Sequence, residues 1–162
     1  MNETAFVLSE HLPQVITTAL LSLVPTFEGR YAVVTGLAMG MPPVPAYLLA
    51  VVMSSLPMPI LLWLLKPLLS WVLSWPFKPI RFLAERFITK AQEKAAKMQK
   101  GSLWALYLFV ALPLPGTGVW TGSAIAVLLD VPRGKAALAI LAGNITACLI
   151  TTLLSTGVLH FL

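Results

Sequence analysis

The chain has 162 residues, of which 58% are hydrophobic and only 10% charged, with a mean hydropathy of +0.87. Soluble domains carry about 25% charged residues, so these values exclude a soluble globular protein and point to one integral membrane domain. The net charge of +5 does not mark a nucleic-acid-binding surface, because residues 78–100 account for all of it: seven basic side chains stand there against Glu85 and Glu93.

In chain order, the first ten residues hold Glu3 and Glu10 and no basic residue, so no secretory signal is expected. An apolar tract over 11–43 closes at Met41-Pro42-Pro43 and is interrupted by Pro25-Thr26-Phe27-Glu28-Gly29-Arg30. Glu28 and Arg30 therefore lie well inside a membrane segment. A charge at a helix centre costs roughly 2.5–3.5 kcal/mol, so such residues default to a function with a named partner. Two positions apart, they diverge on a regular helix. Pro25 and Gly29 instead predict a structural turn of irregular backbone from which both face one cavity. Glu28 is the candidate proton carrier, since a carboxyl's protonation responds to burial and to neighbouring charge. Arg30 offers a donor fork for a phosphate or carboxylate. The structural alternative is a mutual ion pair that locks the turn.

The tract over 45–65 reads as an uninterrupted span. After it, Ile80, Leu83, Phe87, Ala91, Ala95 and Met98 recur every three or four positions, forming one apolar stripe on a basic helix. Pro79 suits its first turn and Gly101 its stop. The helix either lies on an anionic membrane surface or packs on its own membrane domain, and both place it in the cytoplasm.

Residues 103–129 carry no charge but are broken by Pro113-Leu114-Pro115-Gly116-Thr117-Gly118. Pro113 and Pro115 lack amide hydrogens, and Gly116 and Gly118 loosen the backbone. Irregular backbone survives in hydrocarbon only where protein or a water-filled cavity satisfies it. Basic residues upstream, with Arg133 and Lys135 downstream, favour a hairpin that returns to the cytoplasmic face, with arms of about ten residues. The amides around Thr117 and Gly118 would open a helix and attract an anion. Trp120 and Thr121 follow at the same depth, and Trp120 suits a cation or a pocket wall. The tract over 136–162 holds Asn144, which bonds across helices or faces the pathway.

The expected fold is an all-α integral membrane protein of two inverted repeats, 1–69 and 103–162, joined by an amphipathic cytoplasmic connector over 70–102. Each repeat is a re-entrant helical hairpin plus a transmembrane helix, a transporter arrangement. Shifting the chain by 88 positions lays Pro25 on Pro113, Glu28 on Gly116 and Arg30 on Gly118. Two hairpins and two spans make a thin wall, so a homodimer is expected to shield the polar turns. Cys148 supports no disulfide or metal site, His11 and His160 lie near the ends, and no second intramembrane carboxylate joins Glu28. No metal, no cofactor, no nucleic acid partner and no enzymatic activity are expected.

The run Ala111-Leu112-Pro113-Leu114-Pro115-Gly116-Thr117-Gly118-Val119-Trp120-Thr121-Gly122 resembles the small multi-drug export protein family, and Pro25-x-x-Glu28-x-Arg30 resembles its first signature. The resemblance covers nearly the whole chain. It departs from the family pattern at Gly29, where a hydrophobic residue is usual, and in lacking a proline between Arg30 and Pro42. It implies a small multi-pass transporter of the inner (cytoplasmic) membrane, exporting small toxic molecules. The architecture is also similar to the DedA superfamily, linked to proton-coupled recycling of polyprenyl-phosphate carriers. By that likeness, Glu28 couples protons and Arg30 contacts a lipid phosphate, with Gly116, Thr117, Gly118, Trp120 and Thr121 as the opposing wall. The export label implies instead a lipophilic cation held by Glu28 and Trp120. Membrane lipids and an amphipathic or lipid-phosphate substrate are the expected partners. The reading from another class is a scaffold subunit whose basic helix recruits a partner protein.

Overall fold

A computed structural model describes residues 3–25, 27–74, 78–96 and 103–161. The elements among them are all helices: α1 (Glu3–Leu23), α2 (Glu28–Ala38), α3 (Pro43–Ser55), α4 (Pro57–Leu73), α5 (Lys78–Ala96), α6 (Leu103–Ala111), α7 (Val119–Leu128) and α8 (Arg133–Phe161). Two stretches are long and apolar enough to cross a membrane, Pro43–Leu68 and Arg133–Gly157. At 1.5 Å per residue, 26 residues reach about 39 Å, which exceeds a hydrocarbon core of about 30 Å.

The first stretch joins α3 to α4. Pro57 and Pro59 cannot donate to the carbonyls four residues back, which interrupts the ladder at Leu56. Leu56 nevertheless keeps helical dihedrals (φ −58°, ψ −39°) and donates to the Met53 carbonyl at 3.3 Å. The span therefore continues past the 65 expected from hydropathy, and α4 ends at Leu73.

Each spanning stretch is preceded by two shorter helices. Helix α1 packs on α2 and α3, as α6 packs on α8 and α7. The turn that leads from α2 into α3 is repeated between α7 and α8. Gly40 (φ 84°) and Asp130 (φ 54°) occupy the left-handed region. Met41 donates to the Gly36 carbonyl and Val131 to the Ala126 carbonyl, both at 2.9 Å, and Pro42 or Pro132 then opens the next helix. This is a helix stop in which a residue of positive φ lets the amide after it bond back to an orphan carbonyl.

Positions 40 and 130 are 90 apart, not the 88 expected from the sequence shift. The reason lies in the connecting loops. Residues 24–27 link α1 to α2, whereas 112–118 link α6 to α7. A shift of 88 matches the last residues of the outer arms, Leu23 and Ala111, and the longer second loop displaces everything after it.

The core surrounds the short inner helices. Six successive residues of α7, Gly122–Val127, are buried, and Leu106, Val110, Ile125 and Ile140 join them with Leu61, Leu62 and Leu65. A second cluster holds Val33, Leu37, Met41, Ala46 and Ala50. The outer helices expose apolar rows at intervals of four, such as Leu12, Ile16 and Leu20 or Val44, Leu48, Val52 and Leu56. Such rows suit a lipid solvent. The basic helix α5 packs against α4 and α7. Met98 and Gly101, expected to close its stripe and its end, lie outside the described residues, as do Lys97 and Lys100.

Candidate functional site

Glu28 opens α2 with φ 51°, a left-handed conformation uncommon for a residue other than glycine. Its side chain is 5% exposed and points at the other half of the chain. Oε2 accepts from the Val119 amide at 3.1 Å and Oε1 from the Trp120 amide at 3.3 Å. These are first-turn amides of α7, which have no partner inside their own helix. The residue before them, Gly118, supplies no side-chain cap. A Cβ at Gly118 would fall on the Glu28 carboxylate, so only glycine leaves room for it. One helix thus receives its N-terminal cap from another, and the negative charge meets the positive end of the α7 dipole.

Arg30, 4% exposed, reaches the opposite end of the same break. Nη1 donates to the Leu112 carbonyl (2.9 Å), the Leu114 carbonyl (3.0 Å) and Thr117 Oγ1 (2.6 Å). Nη2 donates to the carbonyls of Val110 (2.7 Å) and Thr117 (3.0 Å). The Thr117 hydroxyl in turn donates towards the Leu112 and Leu114 carbonyls, each at 2.8 Å. Pro113 and Pro115 explain the demand: neither has an amide to continue the ladder of α6, and the C-terminal carbonyls need outside donors. The guanidinium meets them with charge-assisted bonds where α6 points its negative end.

The intramembrane charges are therefore not paired with each other. The ion pairs formed by the described residues are Lys66–Asp130 and Arg81–Glu85. Glu28 and Arg30 each meet the backbone of the second broken segment, one at each side of its break. Nor does Gly29 lie in the linking turn. It sits in the first turn of α2, where a Cβ would come within 2.7 Å of Ser54 Oγ and 2.9 Å of both the Ala50 carbonyl and Cys148 Sγ. The backbone of Gly29 and Arg30 is helical, and only Glu28 departs from the regular dihedrals expected for the group to diverge.

Of the remaining residues, Pro25 lies in the α1–α2 turn and Pro113, Pro115 and Gly116 in the α6–α7 loop. Thr117 is buried within the arginine's bond set. Trp120 contributes its amide to Glu28, while its buried indole Nε1 meets no acceptor, and neither does Arg30 Nε. Thr121 is half-buried in the first turn of α7. Asn144 is fully buried away from this cluster's bonds. Its Nδ2 donates to Ser54 Oγ (2.8 Å) and Ser55 Oγ (3.0 Å), joining α8 to α3 mid-span, and Cys148 Sγ donates to its Oδ1 at 3.7 Å.

The carbonyls of Val110, Leu112 and Leu114 and the hydroxyls of Ser54 and Ser55 did not stand out in the sequence. Signals for them exist: two prolines two apart orphan the carbonyls before them, and a Ser-Ser pair interrupts an otherwise apolar span. At the far end of α4, Lys66 pairs with Asp130 and the Arg133 guanidinium carbon lies 4.6 Å from the centre of the Trp63 ring.

Among known families, the one described as "Putative small multi-drug export protein" matches residues 28–150, a stretch that starts at the buried glutamate and includes both halves of the site. No curated protein and no solved structure matches the chain.

Proposed function

We infer the function from a premise that the match establishes: this chain belongs to the small multi-drug export protein family. It is a membrane protein of an export family, and we propose that its transport site lies where α2 meets the broken segment α6–α7. The observation that carries this reading is the Glu28 carboxylate of the first half capping α7 of the second. A carboxylate accepts two amide bonds well, and a protonated carboxyl accepts them poorly. Protonation of Glu28 would thus loosen the inner arm of the second hairpin, which couples a proton to the opening of a path between the halves.

Several contacts support an inverted pair of repeats. Positions 90 apart not only share the turn at 40 and 130 but touch one another, Glu28 against Gly118 and Ser54 against Asn144. That is the behaviour of residues near a two-fold axis. The Lys66–Asp130 pair ties the end of the first span to the turn that starts the second, so the two spans run in opposite senses and each broken hairpin returns to its own face. Positive residues near that end assign it to the cytoplasm.

Cargo follows from what is already occupied. Both Nη atoms of Arg30 are committed to backbone carbonyls and Thr117. A lipid phosphate at Arg30 would have to displace them, so the geometry favours a lipophilic cation that shares Glu28, with Trp120 beside it. The test is export of a fluorescent lipophilic cation from proteoliposomes driven by a pH gradient. Glu28→Gln retains an amide oxygen for α7 and is expected to elute as wild type while losing gradient-driven export. Export that persists in Glu28→Gln overturns the assignment.

A further inference from the structure

The site above leaves unexplained a second group of charges, at the other end of α4. Leu62, Lys66, Val127, Asp130, Val131, Pro132 and Arg133 line an open groove of about 330 Å³ where α4 meets the α7–α8 turn. We propose that this groove binds the phosphate headgroup of an anionic phospholipid.

Position is the first argument. Lys66 stands two residues before the end of the Pro43–Leu68 span and Arg133 begins the Arg133–Gly157 span, so the groove lies at headgroup level of a membrane-embedded chain. The proposal rests on that membrane reading and not on transport. Charge is the second. Lys66 and Asp130 offset each other, which leaves Arg133 as the uncompensated charge of the groove, with exposed Lys135 two residues on. The third is the wall itself. Trp63, 64% exposed, lies beneath the Arg133 guanidinium, and an indole at this depth is a membrane-interface anchor. Leu62 and Val127 continue the groove as an apolar surface against which acyl chains can lie. An anion of the aqueous phase would gain nothing from these walls, whereas a lipid uses both parts. Helix α5 adds to the same field, since it packs on α4 and α7 and exposes Arg81, Arg86 and Lys90.

Asp130 makes the proposal testable, because its two roles predict opposite outcomes. The carboxylate holds Lys66, yet it also repels a phosphate. The measurement is native mass spectrometry of the delipidated protein offered equimolar phosphatidylglycerol and phosphatidylethanolamine with the same acyl chains, with and without inorganic phosphate. Phosphatidylglycerol is expected to be retained in preference. Arg133→Gln should lower its retention about fivefold, the factor one headgroup-level cation typically contributes, and Arg133→Lys should restore most of it. Asp130→Asn should raise retention. Equal retention of the two lipids overturns the proposal, as does displacement of the lipid by millimolar phosphate, which would mark a free-anion site. A fall in retention for Asp130→Asn matching that of Arg133→Gln would reduce the groove to a structural contact and overturns it equally. Glu28→Gln is expected to keep the lipid preference, so failure of the transport reading leaves this result distinct.

Discussion

At the scale of the residue, the chain resolves the cost of two buried charges without pairing them. Glu28 meets free amides and Arg30 meets free carbonyls, so each charge is neutralised by the dipole of a broken helix end. The sequence exposed both residues as exceptional through the cost of a charge in hydrocarbon. It could not name their partners, because backbone amides and carbonyls have no letter of their own. Gly118 shows what the arrangement requires. Gly118→Ala would press a methyl group into the carboxylate, and overpacking of this kind costs about 1–3 kcal/mol. A lower thermal midpoint in detergent is expected for Gly118→Ala. The double variant with Glu28→Ala should lose less than the sum of the two single changes, since the clash vanishes with the side chain. Additive losses would show that Gly118 matters for backbone freedom alone.

At the scale of the element, hydropathy located the two spans, and prolines located the breaks. The second broken segment was legible because its arms are short and its prolines cluster: α6 has 9 residues and α7 has 10. The first was less so, for α1 has 21 residues and contains Pro13 without ending there. The register between halves was read as 88 because loop residues drew the alignment, while the equivalent stops of α2 and α7 are 90 apart. That register has a measurable consequence for orientation. In a Cys148→Ser background, single cysteines at Val44 and Gly134 mark the starts of the two spans, and both positions are exposed. A membrane-impermeant maleimide is expected to reach them from opposite faces of oriented vesicles. Labelling of both from one face would make the spans parallel and remove the inverted arrangement.

For the whole molecule, the question is what covers the break. Leu112, Leu114, Pro115 and Gly116 are exposed in a loop proposed to lie at membrane depth. Lipid offers no donors or acceptors to irregular backbone, so a second copy of the chain is expected to cover this loop. Light scattering of the detergent-solubilised protein should give a mass of two chains of 17.5 kDa after correction for detergent. A one-chain mass that persists at high protein concentration counts against a dimer. Composition alone could not decide this, because the apolar rows that face lipid and those that face a partner have the same residue types.

The contact between Glu28 and Gly118 also bears on how such a protein can arise. When two identical chains meet across a two-fold axis, facing positions carry the same residue. Position 28 would then confront its own copy: glutamate against glutamate, with two carboxylates competing for one space, or glycine against glycine, with an uncapped helix. Once both halves occupy one chain, the positions are free to diverge, one supplying the carboxylate and the other the room for it. The capped helix end is thus an asymmetry that a duplicated and fused chain can encode and a symmetric pair of half-length chains cannot.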